Sequence, residues 1–420
     1  MTSRANVWIA TGAVVALLLG GVAWFLLAPP TTPASTVEPP PPDRALDVLL
    51  LHGIDVFTEA NDYGDWPGLR AGLPAWGWEG KVLPVKYYPC DRGALLDLHD
   101  HKSHDAHHGG PEAHRLGGAC VPGGALGHTT NTPIEHLAYH FAWLVADRYG
   151  DRCVHGVGHS MGGLILRYAV AAVEAKAKGD PRFSEFPERL CLRAAITAGT
   201  PHGGTYVAAG CEAVQCRQMG PGSPFLQALD AFPHPNGTGG TRWIAIGSED
   251  DRVVSNASSR AFDPDAWVIY QKAADVTHSL GRWYYDTVST DAGAPAWVWA
   301  RGSAAPWTTG SAFWPARWTY LSLAHPVWGC GTEADPWPLT PGVLTHGEAD
   351  AGADCVYKAL PAVVVESGRA GEFRLEILPE QAGACAPVAD RPEALRCEGA
   401  PLLRLAASGS ARAEFRLTRA

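Results

Sequence analysis

The residues best suited to chemistry in this chain are those at positions 158–162, Gly-His-Ser-Met-Gly. A serine flanked by glycines in this spacing is typical of a nucleophile held on a sharp turn between a strand and a helix. The apolar run 153–157 predicts the buried strand, and the run 164–173 predicts the helix. The pattern therefore predicts Ser160 as a nucleophile, because such a turn exposes the serine hydroxyl.

A serine nucleophile needs a base and an acid, and both have candidates later in the chain. Serine is a weak nucleophile near neutral pH, so a histidine must accept its proton and a carboxylate must orient that histidine. A predicted strand over 243–246 is followed by Asp250 and Asp251, and a predicted strand over 267–271 is followed by His278. We predict His278 as the base and Asp251 as the acid, since Asp251 directly precedes the Arg-Val-Val stretch; Asp250 is the alternative.

The negative charge that develops on a substrate carbonyl needs fixed hydrogen-bond donors. A predicted strand over 45–51 ends in His52-Gly53, where glycine lets the loop approach a carbonyl oxygen closely. We predict the backbone N–H of Ile54 as one donor. This set of groups requires neither a metal ion nor an organic cofactor, so we expect none.

Composition indicates a large globular protein with more than one domain: 420 residues, of which 46% are apolar and 18% charged. The net charge is −10, and no basic patch is visible that could neutralise phosphates, so we expect no nucleic-acid partner. Ten cysteines without a C-x2-C pair favour disulfides in an oxidising compartment over zinc. Their positions predict the pairs 90–120, 153–191, 211–216, 330–355 and 385–397.

The N-terminal region predicts a membrane segment and a spacer. Residues 7–27 carry no charge and are long enough to cross a bilayer core. We favour a retained anchor over 1–28, with the catalytic domain outside the cytoplasm because Arg4 stays inside; secretion after signal cleavage is the alternative. The proline-rich stretch 29–43 predicts an extended linker before a domain over 44–290.

Two segments within that domain interrupt the strand and helix pattern. Residues 99–120 begin with six histidines among acidic residues and glycines. We favour a polar surface loop there, with weak transition-metal binding as the alternative. Residues 211–241 lie between two predicted core strands and form either a cap over the acyl site or an ordinary crossover.

A further helix is predicted to begin near Thr132. The sequence Thr-Pro-Ile-Glu at 132–135 has the form of a capping box, with Thr132 as the N-cap and Glu135 three residues later. Apolar residues then recur at helical spacing as far as Val145. This helix leads directly into the strand before Ser160.

The region 291–420 predicts an extension rich first in tryptophan and then in strands. Residues 283–337 hold half of the sixteen tryptophans. Packing onto the core is favoured there over an aromatic platform for a lipid surface or a polymer. Alternating patterns predict the strands of a small β module at 362–366, 372–378, 402–406 and 413–418.

Five separated elements resemble the bacterial secreted lipases and esterases of the α/β-hydrolase fold. They are His52-Gly53, Gly-His-Ser-Met-Gly-Gly at 158–163, Gly-Thr-Pro-His-Gly-Gly at 199–204, the acid at 251, and His278. The order Ser, Asp, His is that of the fold. The resemblance covers about residues 45–285 and implies a mostly parallel sheet flanked by helices. It also implies that the backbone N–H groups of Ile54 and Met161 bind the oxyanion.

The leading expectation is a serine carboxylester hydrolase, above all a lipase, that acts on lipid or acyl esters through an acyl-enzyme on Ser160. An acyltransferase with the same triad is an alternative enzyme. A non-catalytic binding module that uses the tryptophan-rich or histidine-rich segment is an alternative of a different class. The complete Ser-Asp-His set argues against the binding module.

Overall fold

The structure, a computed structural model, describes a central sheet, the helices around it and the backbone of a C-terminal β region. The predicted anchor over 1–28, nearly all of the linker over 29–43 and the histidine-rich segment 99–120 lie outside the described residues. Within the described residues, no helix is long and apolar enough to cross a membrane. The described residues are 43–54, 66–88, 91, 94–98, 128–279, 283–284, 294–301, 306–325 and the strands between 337 and 419.

One nine-stranded sheet forms the centre of the described chain. Its strands are β1 (Val48–Leu51), β2 (Val82–Lys86), β3 (Leu96–Asp97), β4 (Val154–His159), β5 (Leu192–Ala198), β6 (Arg242–Ser248), β7 (Ala266–Tyr270), β8 (Ala294–Ala300) and β9 (Trp307–Ala312). They lie in the order β3-β2-β1-β4-β5-β6-β7-β8-β9. Strands β1 to β7 are parallel, whereas β8 and β9 are antiparallel. The predicted mostly parallel sheet is thus confirmed.

Helices cover both faces of this sheet. The described α-helices are α1 (Pro67–Ala75), α2 (Ile134–Tyr149), α3 (Met161–Ala177), α4 (Val214–Met219), α5 (Pro224–Asp230), α6 (Asn256–Ser259) and α7 (Pro315–Ala324). On β1, Val48 and Leu50 join a core cluster with α1 and α7, whereas Leu49 and Leu51 join a cluster with α2 and α3. Because side chains alternate across a strand, a strand covered on both faces is apolar throughout.

The start of α2 differs from the predicted capping box. The helix begins at Ile134, and Thr132 Oγ1 instead accepts a hydrogen bond from the backbone N–H of Thr129 at 3.0 Å. The N–H of Ile134 donates to Gln218 Oε1 at 2.8 Å, and Gln218 also donates to Glu135. Gln218, more than eighty residues further along the chain, therefore caps the helix. The local pattern wrongly predicted Thr132, because this contact forms only in the folded chain.

The catalytic sheet continues beyond residue 290, where the predicted domain boundary was placed. Strand β8 pairs antiparallel with β7, from Ala266 opposite Ala300 to Tyr270 opposite Ala296. Helix α7 then contributes to the same core cluster as Val48. The predicted division at 290 therefore does not coincide with the edge of the sheet.

Tryptophans of this continuation pack against the core. Trp318 of α7 is buried, while Trp297 on β8 is 40% exposed. Stacked ring pairs, each with centroids 6.2 Å apart, are Trp267 with Trp299 and Tyr270 with Trp314. These contacts favour the packing interpretation of the described part of the tryptophan-rich region.

The C-terminal region forms two further sheets, and its four predicted strands are present as β13, β14, β17 and β18. All of its strands are β10 (Trp337–Pro338), β11 (Thr345–Ala349), β12 (Cys355–Lys358), β13 (Val363–Ser367), β14 (Phe373–Ile377), β15 (Cys385–Val388), β16 (Arg391–Cys397), β17 (Leu402–Ala407) and β18 (Ala411–Arg419). One sheet has the order β10-β12-β17-β14 and the other β11-β18-β13-β16-β15.

Two of the predicted disulfides are formed among the described residues. Cys153 bonds Cys191 at the starts of the neighbouring strands β4 and β5, and Cys211 bonds Cys216. The backbone register of β15 and β16 places residue 385 opposite residue 397. The pairs 90–120, 330–355 and 385–397 stay predictions, because they involve positions or side chains outside the described residues.

Among the described residues, His155, His159, His202 and His325 are buried with lowered pKa values, and His155 on β4 shows the cause. Burial, reinforced by the positive charge of Arg242, lowers the pKa of His155 from 6.5 to about 3. His155 Nε2 lies 3.2 Å from the carbonyl oxygen of Asp43. Burial also lowers the pKa values of His159, His202 and His325.

We expect these histidines to make the fold acid-sensitive. Between pH 6.5 and about 3 the unfolded chain binds a proton at His155 that the native state does not. Stability therefore falls as the pH drops through this window, by up to about 1.4 kcal/mol per pH unit for each such histidine. Thermal unfolding followed from pH 7 to pH 4 measures the slope. His155→Gln should make it shallower, and an unchanged slope would contradict the assignment.

Candidate active site

Ser160 occupies the turn between β4 and α3, at φ 53° and ψ −125°. This positive φ is unusual for a residue with a side chain and is typical of strained functional turns. The flanking glycines allow the close approach that the turn needs. A Cβ atom at Gly158 would lie 2.4 Å from the nitrogen of Gly163, and one at Gly162 would lie 2.2 Å from the carbonyl oxygen of Leu51. The elbow predicted from residues 158–162 therefore has a steric basis.

The structure brings the predicted nucleophile, base and acid into one hydrogen-bonded chain. His278 Nε2 lies 3.0 Å from Ser160 Oγ, and His278 Nδ1 lies 2.8 Å from Asp251 Oδ2. The Asp251 side chain is 1% exposed, whereas that of His278 is 19% exposed. The buried carboxylate of Asp251 thus contacts Nδ1 of His278, while Nε2 of the same ring faces Ser160. This geometry allows the imidazole to accept the proton of the serine hydroxyl.

The two adjacent aspartates in the loop after β6 have different partners. Asp251 Oδ1 accepts hydrogen bonds from the N–H groups of Val253 and Val254, both at 2.8 Å, which orients its other oxygen toward His278. Asp250 Oδ2 instead accepts from the backbone N–H of Asp275 at 2.8 Å. Asp250 therefore fixes the loop that carries His278, while Asp251 contacts the imidazole.

The loop after β1 lies directly against the serine. A Cβ atom at Gly53 would be 2.8 Å from Ser160 Cβ and 3.2 Å from Ser160 Oγ. Ile54 follows on this loop, and Met161 is the first residue of α3. The N–H of a first helical residue has no partner within its own helix, and the helix dipole favours negative charge there. Both predicted oxyanion donors thus belong to backbone segments that flank Ser160.

A buried polar cluster supports this loop, and sequence reasoning did not find it. The His52 ring stacks on Tyr87 with centroids 3.9 Å apart, and His52 Nε2 lies 2.8 Å from Asp91 Oδ2. The same carboxylate oxygen accepts from the N–H groups of Tyr87 and Tyr88 at 2.9 and 2.8 Å. Tyr87 also donates its hydroxyl to the carbonyl oxygen of His52. No local sequence pattern indicates this cluster, because its residues meet only through the pairing of β2 with β1.

His159 and Trp283 support the loop that carries the base. His159 Nε2 donates to the carbonyl oxygen of His278 at 2.9 Å. Burial, with a smaller contribution from His278, lowers the pKa of His159 well below 6.5, so its imidazole is neutral. Trp283 is fully buried and donates its indole N–H to the carbonyl oxygen of Thr277. The backbone on either side of the His278 imidazole is therefore held from two directions.

The segment 211–241 borders the site at one end and packs on the core at the other. Gln215 of α4 accepts a hydrogen bond from the Tyr88 hydroxyl, next to the cluster around His52. Arg167 of α3 donates to the carbonyl oxygens of Leu229 and Phe232 at 3.0 and 3.2 Å. The second half of the segment 211–241 thus packs on the core as an ordinary crossover does. A cap over the acyl site stays a prediction.

We expect Gly53→Ala to reduce ester hydrolysis strongly while leaving the fold intact. The added methyl group would collide with Ser160, and a displacement of about 1 Å can lower a rate by about 100-fold. Gly210→Ala is the matched control, because a Cβ atom there meets nothing within 4 Å. Steady-state kcat/KM for a soluble ester, with circular dichroism for the fold, measures the difference. Equal activity of the two variants would contradict the close packing of this loop.

Comparisons with known proteins agree with this geometry in part of the chain. A family described as "Putative serine esterase (DUF676)" matches residues 145–216, which include the end of α2, all of β4, α3 and β5, and Ser160. No curated protein matches the chain.

Solved structures that match the chain at low sequence identity include a phospholipase and a lipase. Phospholipase PlaB from Legionella pneumophila, in complex with thio-NAD, is 11% identical, with a TM-score of 0.35 over 85% of this chain and 79% of that one. The mature lipase BlEst2 from Bacillus licheniformis is 12% identical, with a TM-score of 0.27 over 51% and 70%. The lin2722 gene product from Listeria innocua is 14% identical, with a TM-score of 0.30 over 59% and 96%.

The family match covers the serine turn itself. It includes Ser160, whereas His278 and Asp251, which the structure joins to it in one hydrogen-bonded chain, lie outside the matched residues. The chain is a serine hydrolase of the carboxylic ester class, as its match to a serine esterase family over residues 145–216 and the contact of Ser160 with His278 indicate.

Proposed function

We propose that the protein hydrolyses lipid esters through an acyl-enzyme formed on Ser160. The observation that carries this proposal is the hydrogen-bonded chain from Ser160 Oγ through His278 to the buried Asp251. Such a chain makes an otherwise weak hydroxyl nucleophilic near neutral pH.

In the first half-reaction, His278 Nε2 accepts the proton of Ser160 Oγ as the oxygen attacks the carbonyl carbon of the ester. The N–H groups of Ile54 and Met161 stabilise the resulting oxyanion; in other enzymes the loss of one such donor costs about 3 kcal/mol. His278 then returns the proton to the departing alcohol oxygen, and the acyl group remains on Ser160. Asp251 holds the imidazole in the required tautomer and stabilises its positive form.

In the second half-reaction, water replaces the alcohol. His278 takes a proton from the water as its oxygen attacks the acyl carbon, and Ser160 leaves with the proton returned through the same nitrogen. The same oxyanion donors act in this step. No metal ion or organic cofactor takes part.

Exposed apolar side chains beside the site support a lipid substrate. Tyr206 and Val207 are 86% and 56% exposed, and they follow the loop at 199–204, at the same edge of the sheet as Ser160. The adjoining Thr205 donates its hydroxyl to the carbonyl oxygen of Val253 beside the acid. Large exposed apolar residues in one place are typical of a surface that meets another apolar phase.

The proposed location is outside the cytoplasm, with the N-terminal segment over 7–27 as a membrane anchor. The disulfides Cys153–Cys191 and Cys211–Cys216 support an oxidising compartment. The anchored form is favoured over secretion because the apolar run is longer than the 7–15 residues usual in a signal peptide. Mass measurement of the mature N-terminus distinguishes the two.

A series of p-nitrophenyl esters of increasing acyl length, with an emulsified triacylglycerol, tests the substrate class. We expect long acyl chains and the emulsion to be preferred, and Tyr206→Ser with Val207→Ser to reduce the rate on the emulsion more than on a soluble short ester. A preference for short soluble esters would replace the lipase assignment by an esterase. An added alcohol that diverts most of the acyl group from water would instead indicate an acyltransferase.

A further inference from the structure

We propose that His128, His136 and His140 bind a divalent transition-metal ion of the zinc type. All three side chains are buried, with exposed fractions of 0%, 4% and 3%. Each offers one imidazole nitrogen, and these nitrogens all lie within 4.8 Å of one another. None of the three belongs to the serine site or to the histidine-rich segment 99–120.

The local fold explains how the three rings meet. His136 and His140 are four residues apart on α2, so they project from the same face of the helix. His128 comes from the loop before α2. Its backbone N–H donates to the carbonyl oxygen of Tyr87 at 3.3 Å. The centroids of the rings are 5.1 Å apart for His128 with His136, 5.1 Å for His128 with His140, and 4.6 Å for His136 with His140.

The distances are close to those of a tetrahedral metal site. Zinc binds imidazole nitrogen at about 2.0–2.1 Å, so two ligand nitrogens of a tetrahedron lie roughly 3.3 Å apart. The Nε2 atoms of His136 and His140 are 3.1 Å apart. The ligand nitrogen of His128 lies within 4.8 Å of each of the other two. In zinc sites with three protein ligands, water or another ligand atom fills the fourth position.

The chemistry of the three groups also favours a cation. The Nε2 atoms of His136 and His140 face each other 3.1 Å apart, and a nitrogen of His128 lies within 4.8 Å of the ligand atoms of both. A metal ion accepts lone pairs from all three. Neutral imidazole is a preferred ligand of zinc, copper and nickel.

The role that fits the surroundings is structural. A metal ion would join the loop before α2 to the helix itself, and Gln215 donates to the carbonyl oxygens of Thr129 and Thr132 in that loop at 3.1 and 2.9 Å. The same loop contacts Tyr87, which stacks on His52 beside the oxyanion loop. Removal of the metal should therefore lower stability first and ester hydrolysis only secondarily.

The test separates this site from the histidines of the segment 99–120. The full-length chain, purified in detergent, is equilibrated with zinc chloride, dialysed and analysed for metal by mass spectrometry. The same is done for a variant in which His99, His101, His104, His107, His108 and His114 are replaced by asparagine, and for His136→Gln and His140→Gln made in that variant. His202→Gln, also in that variant, is the control, because His202 is equally buried but lies outside the cluster.

We expect the variant with six asparagines, and its His202→Gln form, to keep about one zinc ion per chain, and the His136→Gln and His140→Gln forms to lose it. Cobalt(II) added to the variant with six asparagines should give the visible absorption of a tetrahedral site, and a chelator should lower its unfolding temperature. This cobalt spectrum tests the site even if the His136→Gln and His140→Gln forms do not fold. A variant with six asparagines that shows neither bound zinc nor the cobalt spectrum, or His136→Gln and His140→Gln forms with undiminished zinc, would overturn the proposal.

Discussion

Ser160→Ala is expected to lower kcat for ester hydrolysis by about 10⁶-fold, the scale seen when a triad serine is removed from a serine hydrolase. The reason is that no other hydroxyl takes the position 3.0 Å from His278 Nε2 within the described structure. Water must then attack the ester directly, with only the oxyanion donors to assist it. The fold should be unaffected, because alanine tolerates the backbone of the turn as well as serine does.

The measurement is kcat for a p-nitrophenyl ester, with the unfolding temperature as the check on structure. Ser184→Ala serves as the matched control, since Ser184 is exposed and distant in sequence from every residue of the triad. It should retain the full rate. Activity of Ser160→Ala above about 1% of the wild type would show that another group forms the acyl-enzyme.

Asp251→Asn is expected to lower kcat by about 10⁴-fold, because an asparagine stabilises the wrong tautomer of the histidine. Its amide N–H would face His278 Nδ1, so the imidazole proton would move to Nε2, the nitrogen that must accept the serine proton. The backbone N–H groups of Val253 and Val254 could still bind the amide oxygen, so the loop should keep its conformation.

Asp250→Asn is the matched control, one residue away and with the same chemical change. The amide oxygen can still accept from the N–H of Asp275, so we expect a loss of no more than a few-fold. Rates for both variants over pH 6 to 9 distinguish the two aspartates. Equal losses, or the larger loss in Asp250→Asn, would make Asp250 the acid.

Much of the site could be predicted because each part follows a local rule. Glycines at fixed spacing around Ser160 predict the elbow, and their close contacts with Gly163 and Leu51 show why no larger residue fits there. The base and the acid follow apolar strands, and parallel strands bring their carboxyl ends to one edge. Short segments of sequence therefore contain the signals for Ser160, His278 and the acidic loop.

The choice between Asp250 and Asp251 required the folded loop. Neighbouring carboxylates point in different directions, and their partners, His278 and Asp275, lie more than twenty residues away. The cap of α2 was mispredicted for the same reason, since Gln218 supplies it from a distant helix. Interactions between residues far apart in sequence leave no local pattern.

The histidines show most clearly the difference between a local sequence pattern and a contact formed only in the folded chain. For the segment 99–120 the sequence favours a polar surface loop, and metal binding is the alternative because six histidines lie close together there. His128, His136 and His140 are spread over thirteen residues of mixed character, and the structure shows that their nitrogens converge. In the sequence, the spacing of four residues between His136 and His140 places both on one face of a helix. Such a pair does not by itself indicate a metal site.

Covalent labelling by a fluorophosphonate, followed by peptide mapping, tests most directly the claim that Ser160 is the nucleophile. The reagent phosphonylates an activated serine and stops, so the modified residue identifies the attacking oxygen. We expect one adduct, on the peptide that contains Ser160, with loss of activity in proportion to labelling and no adduct in Ser160→Ala. An adduct on a different residue, or continued ester hydrolysis by a fully labelled protein, would contradict the mechanism.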